Sequence, residues 1–201
     1  MPDDQDMRNY DGKYVSLCRK GDTDAFEELV RRHQKKMLNV AYRMLGNYDD
    51  ACEVVQDAFV SAFRHIGNFE GRSGFSTWLC SIVINLSRNR LKQIHSRLRL
   101  EPLSLDDPVS TDDGFVRFEP ASDSPSALEN LEKKDLQEKI QKCIGNLEGD
   151  FRAVLVLRDI QGFSYDEIGE ALKLGAGTVK SRLFRAREAV RDCLKKALGK
   201  L

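Results

Sequence analysis

No stretch of the sequence approaches the roughly 20 consecutive apolar residues that a membrane-spanning helix needs. Its opening Met-Pro-Asp-Asp-Gln-Asp lacks the basic and apolar regions of a secretory leader. A soluble, cytoplasmic chain with no membrane insertion is the expectation. Aromatic residues are scarce at 8%, with a single Trp, which argues against an all-β core and for several amphipathic helices. The five cysteines, at 18, 52, 80, 143 and 193, form no Cys-x-x-Cys pair and no cluster with histidine. Reduced, buried thiols and no metal site are therefore expected. His33, His65 and His95 are dispersed, with surface or packing roles expected for the first two. No nucleophile–base pair or phosphate loop appears, so no catalytic residue and no cofactor is expected.

Net charge is also absent, but only as an average. Residues 1–95 hold 14 Lys/Arg against 13 Asp/Glu (+1), residues 96–130 hold 3 against 8 (−5), and residues 131–201 hold 15 against 11 (+4). A basic C-terminal part behind an acidic connector suits a polyanion-binding module.

What is present is helical periodicity in two blocks. After a short amphipathic stretch, Tyr10 to Lys20, a helix is predicted with Asp24 and Glu27 as its capping box and Gly46 as its stop. Phe26, Leu29, Val30, Met37, Val40, Ala41 and Met44 form its stripe. A second helix opens at Asp50 and Glu53, buries Val54, Val55, Ala58, Phe59, Ala62, Phe63 and Ile66, and ends at Gly67. A glycine-bearing loop leads to a third, from about Phe75 to His95. Residues 96–126 carry Pro102, Pro108, Pro120 and Pro125 and lose the periodicity, which predicts a flexible acidic linker. Periodicity resumes through Leu128, Leu131, Leu136, Ile140 and Ile144. The expected architecture is all-α: a bundle over 10–95, a linker over 96–126 and a second helical domain over 127–201.

The most informative segment runs from Phe163 to Arg187. Ser164 and Glu167 cap a short helix, Lys173 to Gly177 make a tight turn, and a basic helix follows. Val179, Leu183, Ala186 and Val190 give that helix a narrow apolar stripe. At about 100° per residue, Ser181, Phe184, Arg185 and Glu188 face away from it. Lys180, Arg182, Arg187 and Arg191 flank it. A solvated basic face would explain the cations but not Phe184 among them. A recognition helix explains both, because Arg or Lys can donate to guanine and an apolar ring can meet a thymine methyl.

At Leu147, Arg158, Gly162 to Ile168 and Gly177 to Arg187 the chain resembles the fourth region of bacterial RNA polymerase sigma factors of the extracytoplasmic-function group. The resemblance implies that Arg158, Lys180, Ser181, Phe184 and Arg185 contact the promoter −35 element. Gly169, Lys173 and Gly175 depart from the family's usual Ala, Gly and Pro. If Lys173 takes φ > 0 in the turn, strain of about 1 kcal/mol is expected.

A helix-turn-helix by itself fits a repressor, an activator or a sigma factor, and the N-terminal block separates them. Asp49 to Phe59 resembles the family's second region, which docks on a coiled coil of the polymerase β′ subunit. Asp50, Glu53, Gln56 and Asp57 are the residues this implicates. Phe69 to Leu79 resembles the loop and helix that capture a flipped base of the −10 element, a task that needs a pocket for an unstacked base. Phe69, Arg72, Ser73, Asn85, Arg88 and Asn89 are implicated there, although Phe69 read from the residues alone is core more readily than base-stacking. The implied partners are core RNA polymerase (β′ coiled coil and β flap), promoter DNA and an anti-sigma factor. The alternative, an operator-binding regulator, would need no polymerase.

Overall fold

The computed structural model describes residues 4–100 and 127–199, with side chains from 10 to 97 and from 133 to 199. The described residues form helices and turns with no strand, as expected. In chain order they are α1 (Asp4–Arg19), α2 (Thr23–Leu45), α3 (Tyr48–His65), a 3-10 turn at Ile66–Asn68, α4 (Phe75–Leu100), α5 (Ala127–Gly145), α6 (Gly149–Leu155), a π turn at Val156–Ile160, α7 (Tyr165–Leu172) and α8 (Ala176–Leu198). The linker expectation falls almost wholly on residues 101–126, outside the described residues, and α4 continues five residues beyond the expected His95.

Helices α1 to α4 make the first bundle. The caps differ from those expected. The side chain of Asp22, not Asp24, accepts from Ala25 N at 3.1 Å, and that of Asn47, not Asp50, accepts from Asp50 N at 2.9 Å. In each case the capping residue is extended and the helix starts just after it, so the predicted cap already lies within the first turn. Gly46 stops α2 at φ 79°, a conformation that suits glycine. Leu29, Met37, Val40 and Met44 of α2 meet Ala51, Ala58 and Ala62 of α3 and Leu79 and Val83 of α4, each with essentially no exposure. Large side chains facing alanines allow close helix approach, and each buried aliphatic contributes roughly 1.5–3 kcal/mol. Phe63, expected in this core, is 46% exposed and meets the Phe26 ring edge-on, 5.0 Å between ring centres. Ala62 takes the inward position instead. His33 is buried, and its Nε2 lies 2.9 Å from Asp11 Oδ2 of α1, so it is a satisfied packing residue.

The second bundle, α5 to α8, contains the expected helix-turn-helix. Ser164 and Glu167 form the reciprocal capping box at the start of α7. Lys173 does adopt the left-handed region, at φ 55° and ψ 49°. Gly169 also has a reason: a Cβ there would lie 2.8 Å from the Leu174 carbonyl oxygen. Leu174 N donates to Gly169 O at 2.8 Å, so the turn folds back directly over this glycine. Val179, Leu183 and Ala186 of α8 are buried as expected. The expectation of five reduced thiols is corrected here. Cys143 on α5 and Cys193 on α8 are joined in a disulfide, while Cys18, Cys52 and Cys80 are free. Fifty residues separate the pair, so no local spacing signal exists.

The two bundles pack against each other. Arg152 of α6 is buried and donates to the carbonyls of Met44, Gly145 and Leu147, capping the ends of α2 and α5 together. Arg43 donates to Gln141 Oε1 at 3.0 Å, and Gln141 Nε2 returns to Tyr42 O at 3.3 Å. Gln161 donates to Asn39 at 2.9 Å. Because buried carbonyls left unpaired are costly, these contacts link the integrity of one bundle to the seating of the other.

Candidate nucleic-acid interface

The residues to which the resemblance assigns −35 contact converge on one face. Lys180, Ser181, Phe184 and Arg185 are exposed on the first half of α8, and Phe184 is 63% exposed. Arg158 comes from another element, and the π turn brings it there. Its backbone bonds run Gln161 N to Val156 O at 3.1 Å, five residues apart. The extra residue rotates Arg158 toward α7, as such bulges do at functional sites. Arg158 Nη1 donates to Phe163 O at 2.7 Å, and its guanidinium carbon lies 5.0 Å from the centre of the Tyr165 ring. Lys180 Nζ approaches the same ring at 5.8 Å. Tyr165 therefore sits between two cations at a favourable distance, a role that sequence reasoning did not foresee.

The flanking arginines of α8 are fixed by carboxylates. Arg187 forms a forked pair with Asp159 of the π turn, Nε to Oδ2 at 2.9 Å and Nη2 to Oδ1 at 2.5 Å. Arg182 binds Asp150 Oδ2 at 2.8 Å. These pairs hold α8 at a set angle and leave Lys180 and Arg185 to face solvent. The face can attract a phosphate backbone and offer a hydroxyl, a ring and a guanidinium to a groove.

The residues implicated in −10 recognition are split. Asn85 and Asn89 are exposed along α4, and Arg72 is exposed in the preceding loop, where Nε lies 2.5 Å from Glu70. Ser73 is half-buried. Phe69 is 8% exposed and packs on Phe75 and Trp78, with ring centres 6.1 and 5.1 Å away, so it is core in this arrangement. Arg88 binds Asp150 Oδ1 at 2.9 Å across the two bundles. A cavity of about 470 Å³ lies between α4 and α7, with Ser73, Thr77, Ser81 and Asn85 on one wall and Glu170, Leu172 and Lys173 on the other. The helix-turn-helix thus faces the surface to which base capture is assigned.

On α3, Gln56 and Asp57 are exposed as expected for a docking face. Asp50 and Glu53 are engaged by Arg90, whose Nε donates to Asp50 at 2.7 Å and whose Nη2 donates to Glu53 at 2.9 Å. The charge of Arg90 would also suit a phosphate. Its attachment to α3 makes it part of the acidic face instead. Val60, 43% exposed, and Phe63 extend that face with apolar area. Among the described residues no group of His, Cys, Asp and Glu could hold a metal ion, and no helix is long and apolar enough to cross a membrane.

Comparison with known proteins matches residues 29–97 to Sigma-70 region 2 and residues 137–190 to Sigma-70, region 4. The RNA polymerase sigma-H factor of Pseudomonas aeruginosa is 35% identical over 94% of this chain and 95% of its own length. The sigma factor SigW of Bacillus subtilis is 34% identical (91% and 96%), and the sigma-E factor of Escherichia coli K12 is 36% identical (88% and 90%). Among solved structures, CnrH in complex with the cytosolic domain of CnrY matches at a TM-score of 0.65 and 24% identity, covering 93% of this chain and 98% of that one, a likeness of fold. The sigma factor RpoE of Bartonella quintana, in complex with the anti-sigma factor NepR, matches at 0.59 and 25%, covering 85% and 96%. With both region models matched in order and relatives aligned over nearly their whole length, the chain belongs to the extracytoplasmic-function sigma factors of RNA polymerase, initiation factors rather than enzymes.

Proposed function

We propose that this sigma factor binds core RNA polymerase in the cytoplasm through the acidic and apolar face of α3, with Glu53, Gln56, Asp57, Val60 and Phe63 as its exposed members. The second bundle reads the −35 element through Arg158, Lys180, Ser181, Phe184 and Arg185. The first bundle reads and opens the −10 element through Asn85, Arg88, Asn89, Arg72 and Ser73. An anti-sigma factor controls it, as the complex of the structural relative RpoE with NepR suggests.

One observation carries the reading: Phe184 stands 63% exposed between Ser181 and Arg185 on the outer face of α8. A large ring held in water beside cations is costly unless something covers it. A base-pair methyl in a groove flanked by phosphates is a fitting cover. The test is promoter binding with and without core polymerase. One small basic module makes few phosphate contacts, so the free protein binds weakly and the holoenzyme binds tightly. Tight, sequence-specific binding by the protein alone would instead establish an operator-binding regulator.

A further inference from the structure

The Cys143–Cys193 bridge joins α5 to the far end of the recognition helix. Arg185 lies eight residues before Cys193, about 12 Å along the axis, so the bridge sits outside the proposed DNA face. Cys143 is 2% exposed and Cys193 is half-buried, with Asn146 Nδ2 3.9 Å from its sulfur. Beside the bridge, α5 is anchored by buried Ile144, half-buried Ile140 and the Arg152 bond to Gly145 O at its end, while Leu136 is 42% exposed. The same helix presents Gln141, which pairs with Arg43 and Tyr42 O across the two bundles. A covalent link thus holds the helix that itself carries the Gln141 contact between the bundles. The other thiols differ in kind. Cys18 and Cys52 are unpaired and half-buried, and burial pushes the Cys80 thiol up to about 12.

Cytosolic thiols are kept reduced, and disulfides found there are usually transient and sensing. We propose that Cys143 and Cys193 form a reversible dithiol–disulfide site, whose oxidised state fastens α5 to the recognition helix and whose reduced state loosens α5 together with its Gln141 contact to α2. The oxidant is a hydroperoxide. The Cys193 thiolate, the more accessible, attacks the peroxide oxygen. The O–O bond breaks, and two electrons pass from sulfur to oxygen, leaving a sulfenic acid and one water or alcohol. Cys143 then attacks the Cys193 sulfur. The S–S bond forms, and the departing hydroxide takes the Cys143 proton as water. A small dithiol reverses the step by attacking the Cys193 sulfur, the more accessible of the two, and leaving as its own cyclic disulfide.

The test uses the full chain, reduced with dithiothreitol, desalted without oxygen and treated with hydrogen peroxide. Denaturing alkylation and mass mapping then count free thiols. After peroxide, Cys143 and Cys193 are protected while Cys18, Cys52 and Cys80 are labelled, and dithiothreitol restores labelling at all five. A bridge closing a loop of this length raises the melting temperature by about 10 °C, and amide exchange at 138–145 slows at least tenfold on oxidation. The Cys143→Ala, Cys193→Ala double variant shows neither change. Five labelled thiols after peroxide, bridging between chains through Cys18 or Cys52, or equal melting and exchange in the two states would each overturn the proposal. No readout involves polymerase or DNA, so its failure is distinct from failure of the promoter test.

Discussion

Arg88 of α4 and Arg182 of α8 share one carboxylate: Asp150 binds the first through Oδ1 at 2.9 Å and the second through Oδ2 at 2.8 Å. One arginine is assigned to the −10 element and the other flanks the −35 face, so a single acidic side chain ties the two DNA-facing surfaces to each other. Asp150 is 47% exposed, and each partly exposed pair contributes only about 0.5–1 kcal/mol. Asp150→Ala should therefore leave the melting temperature nearly unchanged. It should broaden the distance between fluorophores placed on the two bundles, and 0.5 M salt should do the same to the wild type. An unaltered distance distribution would show that the buried contacts of Arg152 and Gln141 suffice to hold the closure.

Gly169→Ala probes the turn. The added Cβ would sit 2.8 Å from the Leu174 carbonyl, and backbone cannot yield as a flexible side chain does. A loss of about 1–3 kcal/mol is expected, read by urea denaturation. A loss below 0.5 kcal/mol, on the same general scale, would mean the turn adapts freely.

The recognition face divides into two kinds of contact. Arg185→Ala should relax preference at one or two −35 positions, since a specific base contact gives about 1–3 kcal/mol of discrimination. Lys180→Ala should weaken holoenzyme binding to all sequences alike and lower the salt slope by about one. Selection from a randomised −35 library, repeated at several salt concentrations, separates the two. Swapped behaviour would reverse the assignments.

Asp57 is an exposed acid on the docking face of α3 to which Arg90 makes no direct bond. Asp57→Arg should weaken core polymerase binding roughly tenfold while circular dichroism stays as in the wild type. Pull-down at wild-type strength would remove this face from the docking surface.

Asn85→Ala with Asn89→Ala should impair strand opening, read as permanganate reactivity near −10, and spare −35 binding. Intact opening with lost −35 binding would invert the roles of the two bundles.

Much of this was legible in the sequence where the signal is local. The Ser164–Glu167 box, the Val179–Leu183–Ala186 stripe and the Gly46 stop depend on residues within one or two turns, and the structure has them as expected. The Asp24 and Asp50 caps missed by two and three residues, because several acids and amides compete at each helix start and only backbone geometry selects one. Phe63 fitted the apolar stripe of α3, yet it lies at the edge of that stripe, 46% exposed and beside Phe26. Asp150, Tyr165 and the Cys143–Cys193 bridge act over long separations that no periodicity encodes. Arg90 carried the right charge for phosphate, but which partner it takes depends on how α3 and α4 cross.

The packing of α7 over α4 also sets a problem of reach. The −35 and −10 elements are centred about 25 base pairs apart, or roughly 85 Å at 3.4 Å per step. A folded body of this size has a radius of gyration near 16 Å by general scaling, so it cannot touch both elements while closed. The chain between the bundles, residues 101–126, spans at most about 90 Å when drawn straight. Since each bundle itself covers part of the distance, that is enough on straight DNA. Under the proposed function, engaging a whole promoter therefore means giving up the Arg152, Gln141 and Asp150 contacts together, and a polymerase that holds the two bundles apart would make that separation favourable.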